Sequence, residues 1–141
     1  MITARRAAAS EFALAAEVYR QTGYTGGIAP GDEVYLAAEG DRIVGVVRLC
    51  SEFGTTVLRG CYILTEFQRR GAGTLLLREL EGSLARGVCY CIPGRHLEKF
   101  YALAAFEKID DEKAPLGLRK RLDEYRSIGK DVIVMRRRAR P

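Results

Sequence analysis

Between Glu33 and Leu84 the apolar residues change period, and this change most limits the folds open to the chain. Glu33-Val34-Tyr35-Leu36-Ala37-Ala38 and Arg42-Ile43-Val44-Gly45-Val46-Val47-Arg48-Leu49 are β-rich runs separated by Glu39-Gly40-Asp41, a hairpin turn signal. A third run, Thr55 to Leu64, follows through Ser51-Glu52-Phe53-Gly54. Strands joined by links this short predict an antiparallel meander. Beyond it Leu75, Leu76, Leu77, Leu80 and Leu84 mark a helix over about 74–86, with Gly87 as its stop. Val88 to Ile92 reads as another strand, so 55–92 forms a strand-helix-strand crossover whose two strands run parallel.

The flanking segments extend this pattern. Met1 to Arg6 is a candidate first strand. Ser10 is placed to cap a helix whose face carries Phe12, Ala15, Ala16 and Tyr19 and which stops near Thr22-Gly23. Tyr24 to Gly31 is rich in turn formers and reads as a loop. A helix from about Arg95 aligns Leu97, Phe100, Tyr101 and Ala104. Pro115 opens a last helix with Leu118, Leu122 and Tyr125 inward, and Asp131 to Met135 closes as a strand. Strands first, then strand-helix units, predict an α/β (mixed α+β) fold with a mostly antiparallel central sheet and helices on both faces. At 141 residues the chain is expected to be a single domain, 1–141.

Composition excludes several classes. No window approaches the ~18 apolar residues of a membrane span. The start lacks the apolar core of a secretory signal, so a cytoplasmic protein with no membrane contact is expected. Cys50, Cys61, Cys89 and Cys91 are expected as reduced thiols. Cys89-Tyr90-Cys91 has the wrong spacing for zinc and His96 is the only histidine, so no metal is expected. The net charge of +5 is weighted to Arg136-Arg137-Arg138-Ala139-Arg140-Pro141. That segment, 136–141, is expected to be a disordered, solvated end; nucleic acid is not the expected partner.

The chemistry concentrates where the third strand run meets the Leu-rich helix. Gln68-Arg69-Arg70-Gly71-Ala72-Gly73 leads straight into that helix. Glycines let backbone turn tightly and approach a ligand, and the first N–H groups of a helix lack internal partners and carry the positive dipole end. Such a junction takes an anion, most often a phosphate, and Arg69 and Arg70 add donors. No Gly-Lys-Ser/Thr ending is present, so this is not a Walker-type loop; the third glycine of the dinucleotide fingerprint is missing too.

Gln68-x-x-Gly71-x-Gly73 resembles the Gln/Arg-x-x-Gly-x-Gly/Ala loop of the GNAT N-acetyltransferases. Ile63-Leu64-Thr65-Glu66-Phe67 is similar to that family's approach to the loop, with Thr65 in place of proline. Phe100-Tyr101-x-x-x-Ala105-Phe106 resembles its Phe-Tyr-x-x-x-Gly-Phe, with Ala105 in place of glycine. The resemblance implies an acetyl-CoA-dependent N-acetyltransferase that moves the acetyl group directly to an amine through a tetrahedral intermediate. It implies that the amides of Arg69, Arg70, Gly71, Ala72, Gly73 and Thr74, introduced by Gln68, hold the coenzyme A pyrophosphate. The backbone of Ile63, Leu64 and Thr65 would pair with the pantetheine arm, and an N–H of Ile63 or Leu64 would face the oxyanion.

By the same resemblance Tyr101 protonates the leaving thiolate, although its helical face also fits a core role. The strand carboxylate that often serves as base is absent from Val57 to Ile63, which leaves Glu52 and His96 as candidates. An asparagine frequent in the family is Gly94 here, which puts one substrate contact in doubt. The acceptor is expected to be a small-molecule amine or a protein amino group, and a homodimer is within the family's range. A non-catalytic coenzyme A sensor of the same fold is the competing reading. A tyrosine-to-phenylalanine change at 101 separates the two.

Overall fold

The computed structural model of the protein describes residues 1–139. Strands β1 (Ile2–Arg6), β2 (Glu33–Glu39), β3 (Arg42–Glu52), β4 (Thr55–Ile63), β5 (Cys89–Cys91), β6 (Glu107–Lys108) and β7 (Met135–Arg137) alternate with helices α1 (Phe12–Thr22), α2 (Ala72–Leu84), α3 (Glu98–Ala102) and α4 (Leu116–Ser127). The strands run in the order β1-β2-β3-β4-β5-β7-β6, a mixed and mostly antiparallel arrangement, as the sequence implied. Packing divides the chain into two compact units. The first is Met1–Cys50 with Leu58–Gly82; the second is Ser51–Val57 with the chain from Ser83 on.

In the first unit β1 pairs antiparallel with β2 from Ile2↔Glu39 to Arg6↔Tyr35, and β2 pairs antiparallel with β3 from Glu33↔Leu49 to Glu39↔Arg42. The hairpin turns through Gly40 at φ +58°, a left-handed conformation that glycine adopts freely. Val34 to Ala38 are all buried, so β2 is covered on both sides and its residues do not alternate. Helix α1 departs from expectation in its face and its start. Ala15, Val18 and Tyr19 are buried and Ala16 is exposed. Ser10 does not cap the helix; Glu11 accepts from the Ala8 N–H at 3.0 Å while Arg5 holds its carboxylate at 2.7 Å. Two guanidinium bonds and an amide bond fix Glu11 more firmly than one serine hydroxyl could. They hold its carboxyl down at about 2, the Arg5 bond being the larger cause.

In the second unit β4 meets β5 in parallel at Thr56↔Cys89 and Val57↔Tyr90. The core gathers Val57, Tyr90, Ala114, Leu118, Leu122, Val132 and Val134, so the inward face read for α4 is correct at Leu118 and Leu122. The closing strand lies further along than expected. Val132 makes only an isolated bridge to Gly94, and the ladder begins at Met135. This carries Arg136 and Arg137 into β7, which corrects the expectation of a disordered end over 136–141. Arg137 is 1% exposed and its Nη1 donates to the Ala104 carbonyl at 3.1 Å, a bond that offsets part of the cost of burying a guanidinium. Arg138 and Ala139 are exposed; Arg140 and Pro141 lie outside the described residues.

Cys50, Cys89 and Cys91 are buried thiols and Cys61 is half-buried; no disulfide joins any of them among the described residues. No helix among the described residues is long and apolar enough to cross a membrane.

Candidate functional site

The segment 68–74, the candidate anion loop, follows the end of β4 in the first unit. The Leu64 N–H donates to the Val44 carbonyl at 2.8 Å and the Phe67 N–H donates to the Leu64 carbonyl at 2.8 Å. The Leu64 N–H is therefore spoken for, which removes it as the oxyanion donor the resemblance implied. By the alternation of an antiparallel ladder, Ile63 turns its N–H and C=O away from β3. Gln68 Nε2 donates to that Ile63 carbonyl at 3.2 Å, so Gln68 ties the loop to the strand end.

A 3-10 turn over Thr65–Phe67 follows, anchored by Phe67, which is 6% exposed. Arg42 and Arg70 both lie over the Phe67 ring, each 5.0 Å from its centroid. Arg70 also donates to Glu39 at 2.6 Å, and Arg42 donates to Glu66 at 2.9 Å. Arg70 is thus a fixed part of the loop wall. Arg69 is exposed and makes no ion pair among the described residues. The backbone turns left-handed twice, at Arg69 (φ +62°) and Gly71 (φ +85°), and α2 then begins at Ala72. A Cβ at Gly71 would meet nothing within 4 Å, so glycine is favoured here by the left-handed backbone and not by a lack of space.

The helix ladder starts with the Leu75 N–H on the Gly71 carbonyl at 3.1 Å. The N–H groups of Ala72, Gly73 and Thr74 thus have no acceptor one turn back. Gln68 through Gly71 are exposed, Ala72 is buried, and Gly73 and Thr74 are half-buried. Unshared N–H groups at a helix start, reached through the exposed turn 68–71 with Arg69 beside it, fit a polyphosphate anion.

The same unit holds a cluster that no motif announced. Arg48, 2% exposed, projects from β3 and bonds five groups, one of them the Cys50 sulfur, to which Nη1 donates at 3.6 Å. Its Nη1 donates to Asp32 Oδ2 at 3.1 Å and to the Gly27 carbonyl, its Nη2 to Tyr24 Oη at 2.7 Å, and its Nε to Tyr19 Oη at 3.3 Å. Tyr19 in turn donates to the Gly60 carbonyl at 2.8 Å; burial pushes its phenol well above the ordinary value, so it stays a donor. Asp32 also accepts from the Ala29 N–H at 2.8 Å. Arg48 therefore straps the α1–β2 loop, residues 23–32, into one conformation. The one sequence signal was an arginine inside an apolar run, Val46-Val47-Arg48-Leu49.

The remaining candidates belong to the second unit. Tyr101, on α3, is 5% exposed, with Phe100 and Phe106 at ring distances of 5.0 and 6.1 Å. Ala105, where the family has glycine, sits at φ +66°, which explains why glycine suits that position. His96 is exposed, and a Cβ at Gly94 would lie 2.7 Å from His96 Cε1. Glycine in place of asparagine is what lets this imidazole lie over the backbone. Glu52 accepts from Arg121 Nη2 at 2.6 Å and Nη1 at 3.3 Å, so its carboxylate is committed to a bidentate pair. Among the described residues no group of three or more His, Cys, Asp or Glu is placed to hold a metal ion.

Residues 30–109, more than half of the chain, match the profile of the acetyltransferase (GNAT) domain. No curated protein matches the sequence. Among solved structures, N-acetylglutamate synthase from Neisseria gonorrhoeae, complexed with coenzyme A and N-acetyl-glutamate, is similar with a TM-score of 0.68 and 16% identity. That match covers 100% of this chain but only 36% of the synthase chain. The ribosomal-protein-S18-alanine N-acetyltransferase from Escherichia coli matches at TM-score 0.70 and 12% identity, over 100% of this chain and 96% of that one. A GNAT-family acetyltransferase from Staphylococcus aureus matches at TM-score 0.66 and 14% identity, over 99% and 100% of the two chains.

Proposed function

We propose that this chain, which belongs to the acetyltransferase (GNAT) family, transfers the acetyl group of acetyl-CoA to a primary amine. The observation that carries the reading is the loop 68–74: an exposed turn leading to a helix start with unshared N–H groups, a left-handed Gly71 and a cationic Arg69, in a chain with the family's profile. Coenzyme A in the related synthase supports the same cofactor here. The amides of Arg69 through Thr74 would hold its pyrophosphate. The N–H of Ile63, facing away from β3, would serve the pantetheine and the carbonyl oxygen, while the Leu64 N–H stays in the sheet.

A thioester is already activated, so the protein's work is to orient the amine, stabilise negative charge on the carbonyl oxygen and supply a proton to the leaving sulfur. Tyr101 is our candidate for that proton. Its ring packs edge-on against Phe100 and Phe106, which restricts its movement. His96 is the candidate for taking the ammonium proton, directly or through water, because the Arg121 pair occupies Glu52.

Tyr101→Phe is the test. Turnover, read as coenzyme A thiol released with a saturating amine, is expected to fall by about 100-fold. Affinity for acetyl-CoA should stay within about twofold, because the phenylalanine keeps the packing. Unchanged turnover would remove Tyr101 from the mechanism.

A further inference from the structure

In the second unit the side chain whose burial most needs a reason is Arg137. A guanidinium is costly to take out of water and persists inside a protein only where its bonds offset that cost. Arg137 lies on β7, which pairs with β6 at Glu107↔Arg136 and Lys108↔Met135. Its Nη1 donates to the Ala104 carbonyl, in the turn that follows α3.

That turn governs where Tyr101 lies. Helix α3 spans five residues, too few to hold itself in water. Beyond it the Leu103 N–H donates to the Phe100 carbonyl at 3.1 Å and the Ala105 N–H to the Ala102 carbonyl at 3.0 Å. The Tyr101 carbonyl accepts twice, from the Ala104 N–H at 3.0 Å and from the Phe106 N–H at 3.3 Å. The Phe106 ring also meets the Tyr101 ring edge-on. Turn 103–106 thus holds Tyr101 by both its backbone and its ring.

The turn itself is weakly supported from outside. Leu103 and Ala105 are exposed, so packing does not cover it. Ala105 has φ +66°, a left-handed conformation that a residue with a Cβ resists. Strand β6, two residues long, adds little ladder beyond it. A grip from within comes from Arg137, and Ala104 transmits it: its carbonyl accepts from Arg137 and its N–H donates to Tyr101.

We propose that Arg137 is a positioning residue for the transfer, holding the turn 103–106 and through it the Tyr101 side chain. The inference rests on the acetyltransferase reading with Tyr101 as proton donor. As the carbon–sulfur bond breaks, its electron pair goes to sulfur, the Tyr101 hydroxyl gives that sulfur a proton, and the phenolate regains one from solvent. A hydroxyl displaced by even about 1 Å loses this step. Cofactor binding is untouched, because the loop 68–74 takes part in none of these contacts.

The test compares the full chain with Arg137→Met, Tyr101→Phe and the double variant. Coenzyme A thiol release is read with whichever of 2-phenylethylamine, spermidine and a short peptide with a free N-terminus the parent turns over fastest. Calorimetry gives acetyl-CoA affinity and thermal melting checks folding. In Arg137→Met, kcat is expected to fall at least about tenfold with acetyl-CoA affinity within about twofold. Added to Tyr101→Phe, the same change should lower kcat by no more than about twofold further. A merely structural role would lower kcat equally in both backgrounds. That result, or a parental kcat in Arg137→Met, overturns this inference alone. If Arg137→Met does not fold, Arg137→Lys carries the same comparison, because it keeps the charge and loses only the guanidinium fork. A fall of at least about threefold in the parent and none in Tyr101→Phe is then expected, and any other pattern overturns the inference. Parental turnover in Tyr101→Phe, or no thiol release by the parent with any of the three amines, overturns the underlying reading and this inference with it.

Discussion

Arg48→Met is expected to destabilise the protein by about 3–5 kcal/mol, the cost of leaving one member of a buried ion pair without the other. The orphan is Asp32, 9% exposed, which would keep its charge among Tyr19, Tyr24 and the loop backbone with only the Ala29 amide to satisfy it. The Gly27 carbonyl and the Tyr24 hydroxyl lose their donor in the same step. Urea unfolding reads the effect as a drop in midpoint with an unchanged slope. Adding Asp32→Asn to the same chain removes the stranded charge while its side-chain oxygen can still accept from Ala29. The double variant should recover at least about half of the loss. Simple addition of the two single effects would show that the pair is not coupled and that Arg48 stabilises by packing alone.

The second large effect is expected at Gly60. This residue lies within β4 yet has φ +64°, and a Cβ placed on it would come within 2.3 Å of Tyr19 Oη and 3.1 Å of the Tyr24 ring. Gly60→Val therefore combines two costs, each about 1–3 kcal/mol: a left-handed backbone that a β-branched residue resists, and overpacking against two fixed rings. It also displaces the hydroxyl that donates to the Gly60 carbonyl. The loop 68–74 takes part in none of these contacts, so the variant should still bind acetyl-CoA. Thermal melting gives the stability loss and a titration with acetyl-CoA gives the control. A variant as stable as the parent would mean that β4 can relax its bend at Gly60, contrary to this account.

What could be read from sequence was what depends on neighbours along the chain. The hairpin at Gly40, the start of α2 at the glycine loop and the inward face of α4 each rest on residues within a few positions of one another. The same holds for the left-handed Gly71 and the free amides after it, which are properties of one short segment. The features that escaped join distant positions. Glu52 meets Arg121 across 69 residues, and that pair changes Glu52 from a candidate base into a held carboxylate. Arg48 reaches Tyr19, Tyr24, Gly27 and Asp32 across 16 to 29 residues, and no local pattern foretells which polar groups will gather around a strand arginine. The closing strand was misplaced for a related reason. Val132 to Val134 are buried like strand residues, but the ladder partners of Cys89 to Cys91 turned out to be Met135 to Arg137.

Tyr101 illustrates how two readings of one residue can coexist. Its spacing with Phe100 and Ala104 indicated a packed helix face, and it is packed. A packed ring is also what a proton donor needs if its hydroxyl is to be held in one place.

The central claim is that the loop 68–74 holds the pyrophosphate of coenzyme A. Calorimetric titration of acetyl-CoA into the parent protein and into Gly71→Glu tests it most directly. The substitution puts a side chain on a left-handed backbone and a negative charge beside the N–H groups that would receive phosphate. The account predicts saturable binding by the parent and binding at least about tenfold weaker, or lost, in a folded variant. No binding by the folded parent, or equal binding by both proteins, would contradict it.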